Sequence, residues 1–426
     1  MPQQFSILLG KAVRKIARLR GGSGSALPGL FVEKIDPLFI RRTLGALSQG
    51  VVLVSGTNGK TTTTKMVVEL LRGQGLKVFT NRTGSNFTRG VAAALLEEIS
   101  LSGKLDADIA VLELDEAHAI HFVKSISPRH TLLLNVMRDQ LDRFGEIDHT
   151  AKLLQTIAEA TLDTVTLNRE DVRVREIAKH MPRSVDVSYF GLNKSLLSQF
   201  PNDDDLHNSK KSAASKIPVD VELVRFDDTS ATFLIDKFEH TASLKLNGIY
   251  NIFNAAAALA TVRSILGTEV DHTALINTLS EITPAFGRGE ILTVNGRPLE
   301  LVLVKNPSGF RLGLSSFDPT GYATMIAIND NYADGRDMSW LWDVSFDSLK
   351  EGGVSMVSGA RCYDMALRLQ YDNVPVKSAS PDLEKSLLDF IKRNQNSPKR
   401  IYCTYTAMLA LRRTIGTITE VKEAGK

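Results

Sequence analysis

A buried strand, a turn and the start of a helix are predicted by the stretch Val51-Val52-Leu53-Val54-Ser55-Gly56-Thr57-Asn58-Gly59-Lys60-Thr61. Its four leading apolar residues are typical of a strand that is buried on both faces of a sheet. The glycines then allow a tight turn, and a helical pattern follows from about Thr61 to Leu71. A buried strand, a glycine turn and a helix form the first half of a βαβ unit, which predicts a parallel sheet.

The glycine turn has the composition of a phosphate-binding loop. Glycines let backbone N–H groups approach phosphate oxygens, and the next helix adds the positive end of its dipole. Lys60 can reach the β- and γ-phosphates, and the Thr61 hydroxyl can bind Mg²⁺. The usual pattern has a glycine where this chain has Val54, so the loop is a shortened version, and a chance turn before a lysine is the alternative. The candidate nucleotide-binding residues are Gly56, Thr57, Asn58, Gly59, Lys60, Thr61 and Thr62.

A magnesium ion needs a carboxylate beside the Thr61 hydroxyl. Glu113 lies at the end of a second predicted strand, Ile109–Leu114. Ligands of open α/β sheets bind beyond the carboxyl ends of the strands, so we expect Glu113 to lie near the loop. Asp115 and Glu116 are alternatives, and Asp115 could instead cap the following helix.

The rest of the chain predicts two α/β domains. Further strands at Thr131–Asn135 and Thr164–Leu167, with helical stretches between them, indicate a doubly wound parallel sheet. Residues 185–245 predict β segments around a polar insertion, and residues 249–266 predict a helix. Beyond a turn-rich boundary the following strands and helices are predicted: Leu299–Val304, Tyr322–Ile328, Val354–Val357, Ala360–Leu369 and Asp382–Arg393. We therefore expect an N-terminal helical segment and hinge (1–47), an ATP-binding domain (48–295) and a smaller Rossmann-like α/β domain (296–426).

Composition excludes several classes of protein. The 426 residues are 43% hydrophobic and 23% charged, which excludes a mainly disordered, collagen-like or disulfide-scaffold chain. A net charge of +3 gives no indication of nucleic-acid binding. Cys362 and Cys403 cannot form a four-cysteine zinc site, and we expect both to be buried structural residues. No unbroken apolar run reaches the roughly 18 residues that span a bilayer.

The first 20 residues form a basic amphipathic pattern. They carry five Lys or Arg and no acid, and Phe5, Leu8, Leu9, Ala12 and Ile16 recur at helical spacing. A signal peptide would place its charges before an unbroken apolar core. The pattern predicts either a helix that contacts anionic lipid or a partner, or a surface helix packed on its own protein. Residues 21–25 are typical of a flexible hinge.

Five segments, in this order along the chain, resemble the Mur ligase superfamily, which joins amino groups to carboxylates with ATP. They are Gly56–Thr62, Glu113, Asn135–Arg143, Tyr250–Asn254 and Gly287–Glu290. The resemblance implies a central P-loop domain with a parallel sheet and a Rossmann-like C-terminal domain. The loop begins near residue 56, so no full N-terminal UDP-sugar-binding domain is expected. Gln140 stands where typical members have histidine, and no counterpart of their carbamylated lysine is recognisable.

Two C-terminal segments narrow the resemblance to one branch of that superfamily. Lys305–Gly309 and Asn329–Trp340 resemble the MurT family, the ligase-like subunits of lipid II isoglutaminyl synthase. Their partner, GatD, is a class I glutamine amidotransferase subunit. Many members carry a four-cysteine zinc ribbon in the central domain. Residues 195–220 contain no cysteine here, so we expect this chain to fold without zinc.

The resemblance implies a reaction and a set of residue roles. ATP and Mg²⁺ would convert the α-carboxylate of D-glutamate in lipid II to an acyl phosphate, and ammonia would then give D-isoglutamine. Lys60 and the loop would bind the phosphates, Thr61 and Glu113 the magnesium, and Arg288 would balance phosphate charge. Asn251 or Asn254 would contact the adenine. The segment containing Asn81, Gly84 and Asn86 would face the substrate.

The resemblance also implies a GatD-like partner in a cytoplasmic heterodimer at the inner face of the membrane. Asp337 would orient the catalytic histidine of that partner, and a turn aspartate is the alternative. Trp340 and Trp342 could anchor the subunit contact or belong to the core. Two other functions stay open: a single-chain amino-acid ligase of the Mur or folylpolyglutamate type, and a non-catalytic ATP-binding regulatory subunit.

Overall fold

The computed structural model describes residues 3–19, 27–81, 87–137, 147–200, 215–227, 229–245, 248–283 and 288–419. The chain divides into two compact units. The first contains residues 1–136, 148–245 and 251–282, and the second contains residues 137–147, 246–250 and 283–426. Each unit is built on its own β-sheet.

The first unit contains a large sheet in the order β2-β3-β1-β4-β5-β6-β7-β8-β9. Its strands are β1 (Val51–Ser55), β2 (Val78–Thr80), β3 (Ile109–Glu113), β4 (His130–Leu133), β5 (Thr164–Asn168), β6 (Asp186–Leu192), β7 (Val221–Phe226), β8 (Ser230–Ile235) and β9 (Phe238–Ser243). The pairs from β2 to β7 are parallel, and the pairs β7-β8 and β8-β9 are antiparallel. The predicted α/β class with a parallel sheet is confirmed.

Helices connect the strands of this unit. They are α1 (Gln3–Leu19), α2 (Leu27–Ile35), α3 (Phe39–Leu44), α4 (Lys60–Gly73), α5 (Thr88–Glu98), α6 (Glu116–Ser125), α7 (Ile147–Glu159), α8 (Val172–Glu176), α9 (Ile249–Leu266) and α10 (His272–Glu281). Short 3₁₀ turns lie at Ile177–His180, Lys194–Gln199 and Gly267–Glu269. The N-terminal segment packs on the unit, because α1 and α2 contact each other and both contact α5.

The central position of β1 determines where a ligand could bind. Val54 pairs with Glu113 of β3 on one side and with Leu132 of β4 on the other. All residues of β1, β3, β4 and β5 are buried. A central strand of a parallel sheet is covered on both faces, which explains why β1 begins with a continuous apolar run rather than an alternating pattern. Parallel pairing brings the carboxyl ends of β1, β3 and β4 to one edge of the sheet.

Residues 185–245 form β structure, as the sequence indicates. β6 extends the parallel sheet, and β7, β8 and β9 form an antiparallel meander after it. The β8–β9 turn has Asp236 and Lys237 at φ of 50° and 73°, the left-handed pair that a two-residue hairpin favours. The polar stretch 201–214 lies outside the described residues.

One helix in the described part of the chain meets the length and composition of a membrane span, which the sequence analysis did not anticipate. The segment Ile249–Glu269 covers 21 residues with a mean hydropathy of 1.3, and more than half of it is buried inside the protein. Its alanines at 255–258 are fully buried. A core helix of a globular unit is apolar around its whole circumference for this reason.

The second unit contains a smaller sheet in the order β10-β11-β15-β12-β13-β14. Its strands are β10 (Arg288–Val294), β11 (Arg297–Leu303), β12 (Ala323–Ala327), β13 (Met356–Ser358), β14 (Ala379–Ser380) and β15 (Lys399–Cys403). Its helices are α11 (Pro307–Ser316), α12 (Cys362–Tyr371), α13 (Leu383–Arg393) and α14 (Tyr405–Gly416), with 3₁₀ turns at Ser339–Asp343 and Asp347–Leu349. β10 pairs antiparallel with β11, so residues 288–294 belong to the second sheet.

Two hydrophobic clusters fill the second unit. One contains Phe310, Trp340, Phe346 and Tyr402 among its largest members. The other contains Met325, Phe390, Ile401 and Met408. Neighbouring residues of β15, Ile401 and Tyr402, belong to different clusters, as side chains of successive strand residues point to opposite faces of a sheet. The predicted second α/β domain is confirmed as a separate sheet with helices.

His130, at the start of β4, predicts a loss of stability in mild acid. Burial lowers its pKa to about 4 from 6.5, and its Nδ1 has no hydrogen-bond partner in the described part of the chain. In the unfolded chain the His130 imidazole therefore binds a proton below about pH 6.5, whereas in the folded chain it binds that proton only below about pH 4. Wild type should lose about 2 kcal/mol of unfolding free energy through this residue between about pH 7.5 and about pH 5.

Denaturant unfolding at the two pH values checks this expectation. His130→Leu should lose about 2 kcal/mol less stability than wild type on acidification. His149→Asn, at an exposed position, is the control and should follow wild type. Equal pH dependence of wild type and His130→Leu would contradict the prediction.

Candidate active site

The loop after β1 can be made only with glycines at two positions. Gly56 and Gly59 have φ of 130° and 88°, which side chains rarely tolerate. A Cβ on Gly56 would lie 3.0 Å from the backbone nitrogen of Asn135, and one on Gly59 would lie 2.8 Å from Oδ1 of Asn254. The loop is half-buried at Asn58 and Gly59 and packs closely against Asn135 and Asn254. This is the cradle shape that a phosphate group needs.

Asn135 braces the loop from the end of β4. Its side-chain Oδ1 accepts from Asn58 N at 2.9 Å, and its Nδ2 donates to Asn58 O at 3.0 Å. Its backbone carbonyl accepts from Thr57 N at 3.0 Å. In the sequence Asn135 is only the first residue of a segment shared with the Mur ligases. Its structural role depends on the pairing of β4 with β1, which no local sequence pattern reveals.

Lys60 begins α4 and is almost completely buried. Its ammonium donates to the Gly56 carbonyl and lies 3.3 Å from Oε2 of Glu116, the first residue of α6. Glu116 was an alternative magnesium ligand in the sequence analysis. In the structure it is the ion-pair partner of Lys60, so the lysine is held under the loop rather than extended into solvent.

Thr61 and Glu113 meet beside this ion pair. The Thr61 hydroxyl donates to Oε1 of Glu113 at 2.8 Å, and both residues are buried. Asn81 holds the Glu113 backbone on both sides, since its Nδ2 donates to Glu113 O at 2.8 Å and its Oδ1 accepts from Glu113 N at 2.9 Å. Asp115 stands at the start of α6 without a side-chain capping bond. The structure thus brings together the pair that the sequence assigned to magnesium.

The charges at this edge of the sheet suit a divalent cation. Glu113 and Glu116 are both buried, and the Lys60 ammonium pairs with Glu116. Magnesium is held in proteins by one or two carboxylates together with phosphate oxygens and water. No cluster of three or more His, Cys, Asp or Glu ligands lies within the described ranges.

The buried carboxylate of Asp171 supports the loop indirectly, through the residue next to Asn135. Asp171 caps α8 by accepting from Val174 N at 3.0 Å, and its other oxygen accepts from Val136 N at 2.7 Å. Burial raises the pKa of Asp171 to about 6, and the two backbone donors oppose that shift. Asp171 therefore fixes the residue that follows Asn135. Asp171 is not among the residues predicted above, although an aspartate just before a helical segment is a recognisable capping signal.

The remaining expected nucleotide contacts are placed only in part. Thr57 and Thr62 are buried in the loop and the first turn of α4. Asn251 lies in the first turn of α9, and Asn254, one turn later, packs its amide against Gly59. Other expected residues fall outside the described part of the structure: Gly84, Asn86, the segment 138–143 and the side chain of Arg288.

A second polar cluster lies at the carboxyl end of β12 in the second unit. The carboxylate of Asp334 is buried and accepts from the backbone N–H and the hydroxyl of Thr406, at the start of α14. Asn329 N donates to the Thr404 hydroxyl at 2.9 Å, and Asn331 Nδ2 donates to the Thr406 hydroxyl at 2.8 Å. These bonds tie the loop that begins at residue 329 to the end of β15 and the first turn of α14.

Asp337 is at the accessible side of this loop. It is half-buried, and its Oδ1 accepts from Ser339 N at 2.9 Å, as in a turn aspartate. Other hydrogen bonds of its carboxylate are not found among the described residues. Trp340 is buried against Phe310 in the core, whereas Trp342 is half-exposed and packs on Tyr371. The structure thus separates the two tryptophans that the sequence could not distinguish.

Neither cysteine has the surroundings of a nucleophile. Cys362 and Cys403 are both buried and unpaired as disulfides. Burial raises the pKa of both thiols, so neither favours the reactive thiolate.

Comparison with known proteins identifies the family. The Mur ligase middle domain model matches residues 54–262, and the MurT ligase C-terminal model matches residues 303–408. The chain is 30% identical over 93% of its length to the MurT subunit of lipid II isoglutaminyl synthase (glutamine-hydrolyzing) from Streptococcus pneumoniae, and it covers 94% of that protein. The subunit of the same name from Staphylococcus aureus is 28% identical over 88% of this chain and 89% of its own.

Solved structures agree on the fold. MurF ligase from Thermotoga maritima in complex with ADP superposes with a TM-score of 0.67 at 19% identity, covering 90% of this chain and 83% of its own. Sequence similarity along nearly the whole chain, with the Mur ligase fold and the phosphate-type loop in place, confirms the resemblance stated above. The chain belongs to the MurT family of ligase subunits.

Proposed function

We propose that this chain is the ATP-dependent ligase subunit that amidates the D-glutamate α-carboxylate of lipid II with ammonia from a GatD-like glutaminase. The buried cluster of Lys60, Thr61 and Glu113 under the glycine loop carries the proposal, because it has the groups that bind a nucleoside triphosphate with magnesium. Family membership supports the substrate, since the S. pneumoniae and S. aureus relatives are named subunits of lipid II isoglutaminyl synthase.

The chemistry requires activation because a carboxylate is a poor electrophile. A carboxylate oxygen of the substrate attacks the γ-phosphorus of ATP, and ADP leaves, which gives an acyl phosphate. Ammonia then attacks the carbonyl carbon, inorganic phosphate leaves, and the nitrogen loses a proton to give the amide. The protein contributes position and charge compensation to both steps.

Lys60 and the loop backbone bind the phosphates in this proposal. The Lys60 ammonium lies under the loop already and exchanges its Gly56 carbonyl contact for a phosphate oxygen. Thr61 and Glu113 hold magnesium, which acts as a Lewis acid on phosphate oxygens when bound. Arg288 balances phosphate charge, and Asn251 or Asn254 contacts the adenine. The proposed substrate contacts are Gly84 and Asn86, whereas the buried Asn81 amide holds the Glu113 backbone instead of facing the substrate.

Asp337 serves the glutaminase rather than the ligase. Its accessible carboxylate orients the catalytic histidine of the partner across the subunit contact, as the third member of a catalytic triad does. The buried Asp334 and its bonds to Thr406 fix the loop that presents it. Half-exposed Trp342 is then the tryptophan available to the contact, because Trp340 belongs to the core.

A Gly59→Ala variant should lose nucleotide affinity. Alanine at this position would have to adopt a φ of 88°, and its Cβ would clash with the Asn254 amide. Both effects displace the loop. We expect ATP·Mg²⁺ affinity, measured by calorimetry, to fall by about tenfold or more. Gly75→Ala is a matched control, since Gly75 has a φ of 87° with open space around it. Comparable loss in both variants would contradict a specific role for the loop.

A Lys60→Ala variant should abolish amidation with either nitrogen source. The purified complex with its glutaminase partner is assayed on lipid II with ATP, magnesium and either glutamine or ammonium chloride. Removing the phosphate-binding ammonium should lower the rate at least about 100-fold in both assays. Lys104→Ala, at an exposed turn lysine, should match wild type. Full activity of Lys60→Ala would exclude ATP chemistry at this loop and favour a regulatory subunit.

An Asp337→Asn variant should lose only the glutamine-dependent reaction. The loss of the carboxylate weakens the glutaminase by about 100-fold or more, whereas ammonium chloride bypasses it. Asp389→Asn is a control at an equally half-buried aspartate of α13. Equal loss of activity with both nitrogen sources would assign Asp337 to folding or to the ligase.

The single-chain ligase would be favoured by a different result on wild type. In that case free amino acids would stimulate ATP hydrolysis and lipid II would not be amidated.

A further inference from the structure

Helix α1 is fixed on the first unit by one of its faces. Ser6 and Ile7 are fully buried, and Gly10 lies at the closest approach to the helices beneath. A Cβ on Gly10 would be 2.6 Å from Val32 of α2 and 2.8 Å from Leu96 of α5. This packing holds the helix in one rotation about its axis, so the opposite face stays directed to solvent.

The solvent face of α1 is apolar in its centre. Phe5 and Leu8 are 50% and 58% exposed, and Ala12 continues the same stripe one turn later. Their spacing of three and four residues places them on one side of an α-helix. Lys15 is exposed next to the stripe, and Lys11 is half-buried at its margin. A helix with Phe and Leu on one side and lysines at the border has the composition of an interfacial membrane helix.

Charge indicates which partner this face suits. The first 50 residues carry eight Lys or Arg and two acidic residues, whereas the whole chain has a net charge of only +3, so the remainder is net acidic. Arg14 is partly neutralised by Glu97 of α5, but the outer lysines lie on the exposed side. An anionic surface therefore attracts the segment that contains α1 more strongly than the remainder of the chain.

We infer that the outer face of α1 docks on an anionic phospholipid bilayer. Phe5 and Leu8 would enter the boundary between headgroups and acyl chains, and Lys11 and Lys15 would lie against lipid phosphates. The inference rests on the proposed function for its purpose, because docking would bring the ligase to a lipid-linked substrate. The lipid contact itself requires neither ATP nor that substrate.

Vesicle binding tests the inference separately from catalysis. The full chain with its partner is mixed with phosphatidylglycerol/phosphatidylcholine vesicles, or with phosphatidylcholine vesicles alone, and the bound fraction is measured by flotation. We expect binding to the anionic vesicles only, and weaker binding at about 1 M salt, where the screening length is about 3 Å. The double variants Phe5→Glu/Leu8→Glu and Lys11→Glu/Lys15→Glu should each lower the vesicle partition coefficient by about tenfold or more.

Matched controls separate docking from folding and from general charge. Phe238→Glu replaces an aromatic that is 70% exposed on the β8–β9 hairpin, and Lys104→Glu reverses an exposed lysine elsewhere. Both should bind vesicles as wild type does. The α1 variants leave the buried face of the helix unchanged, so their melting temperatures should match wild type.

Three results would overturn the inference. The first is flotation of wild type with neither kind of vesicle, and the second is equal vesicle binding by all four variants. Alternatively, Phe5→Glu/Leu8→Glu could dissociate a protein complex, detected by light scattering, without changing vesicle binding, which would assign this face to a protein. Vesicle binding with no lipid II amidation would retain the docking surface and reject the proposed function. Lipid II amidation without vesicle binding would retain the proposed function and reject the docking surface.

Discussion

The parallel pairing of β1 with β3 and β4 is the constraint on which the candidate site depends. It brings the residues that follow three distant strands to one edge of the sheet: the glycine loop, Glu113 and Asn135. Asn135 then completes the hydrogen bonds of the loop backbone at Thr57 and Asn58, which lets the loop keep its positive-φ turns. A displaced register of β4 would remove this brace and leave buried backbone groups without partners, which is costly.

Burial makes the charges of this site interdependent. Lys60, Glu113 and Glu116 are each less than 7% exposed, so each needs a partner in the low-dielectric interior. The structure satisfies them with the Gly56 carbonyl, the Thr61 hydroxyl and the Lys60–Glu116 ion pair. These are also the groups that we propose to exchange contacts with phosphate and magnesium. A site of this kind is preorganised, because its polar groups are already ordered before a ligand binds.

The second unit presents a loop in the same general way. Parallel strands β12 and β15 end side by side, and the loop after β12 is tied to the residues after β15 by Asp334, Asn329 and Asn331. The segment Asn329–Trp340, which is a single motif in the sequence, therefore contains two kinds of residue. Most of its polar side chains hold the loop, and Asp337 is the carboxylate left at an accessible position.

Local sequence patterns specify the secondary-structure elements around the site and the residue types within it. The apolar run of β1, the glycines and the helix from Lys60 are specified by neighbouring residues, and so are three strands and two helices of the second unit. Glu113 followed from the rule that ligands bind beyond strand ends. Other contacts depend on tertiary structure, such as the ion pair between Glu116 and Lys60. Asn135 bonds to Asn58, which lies 77 residues earlier in the chain. Asp171 bonds to Val136, which lies 35 residues earlier. The tertiary structure also decided that Trp340 is buried and Trp342 exposed, and that α1 turns Phe5 and Leu8 outward. Contacts of this kind depend on strand order and helix packing between distant segments, which no local pattern encodes.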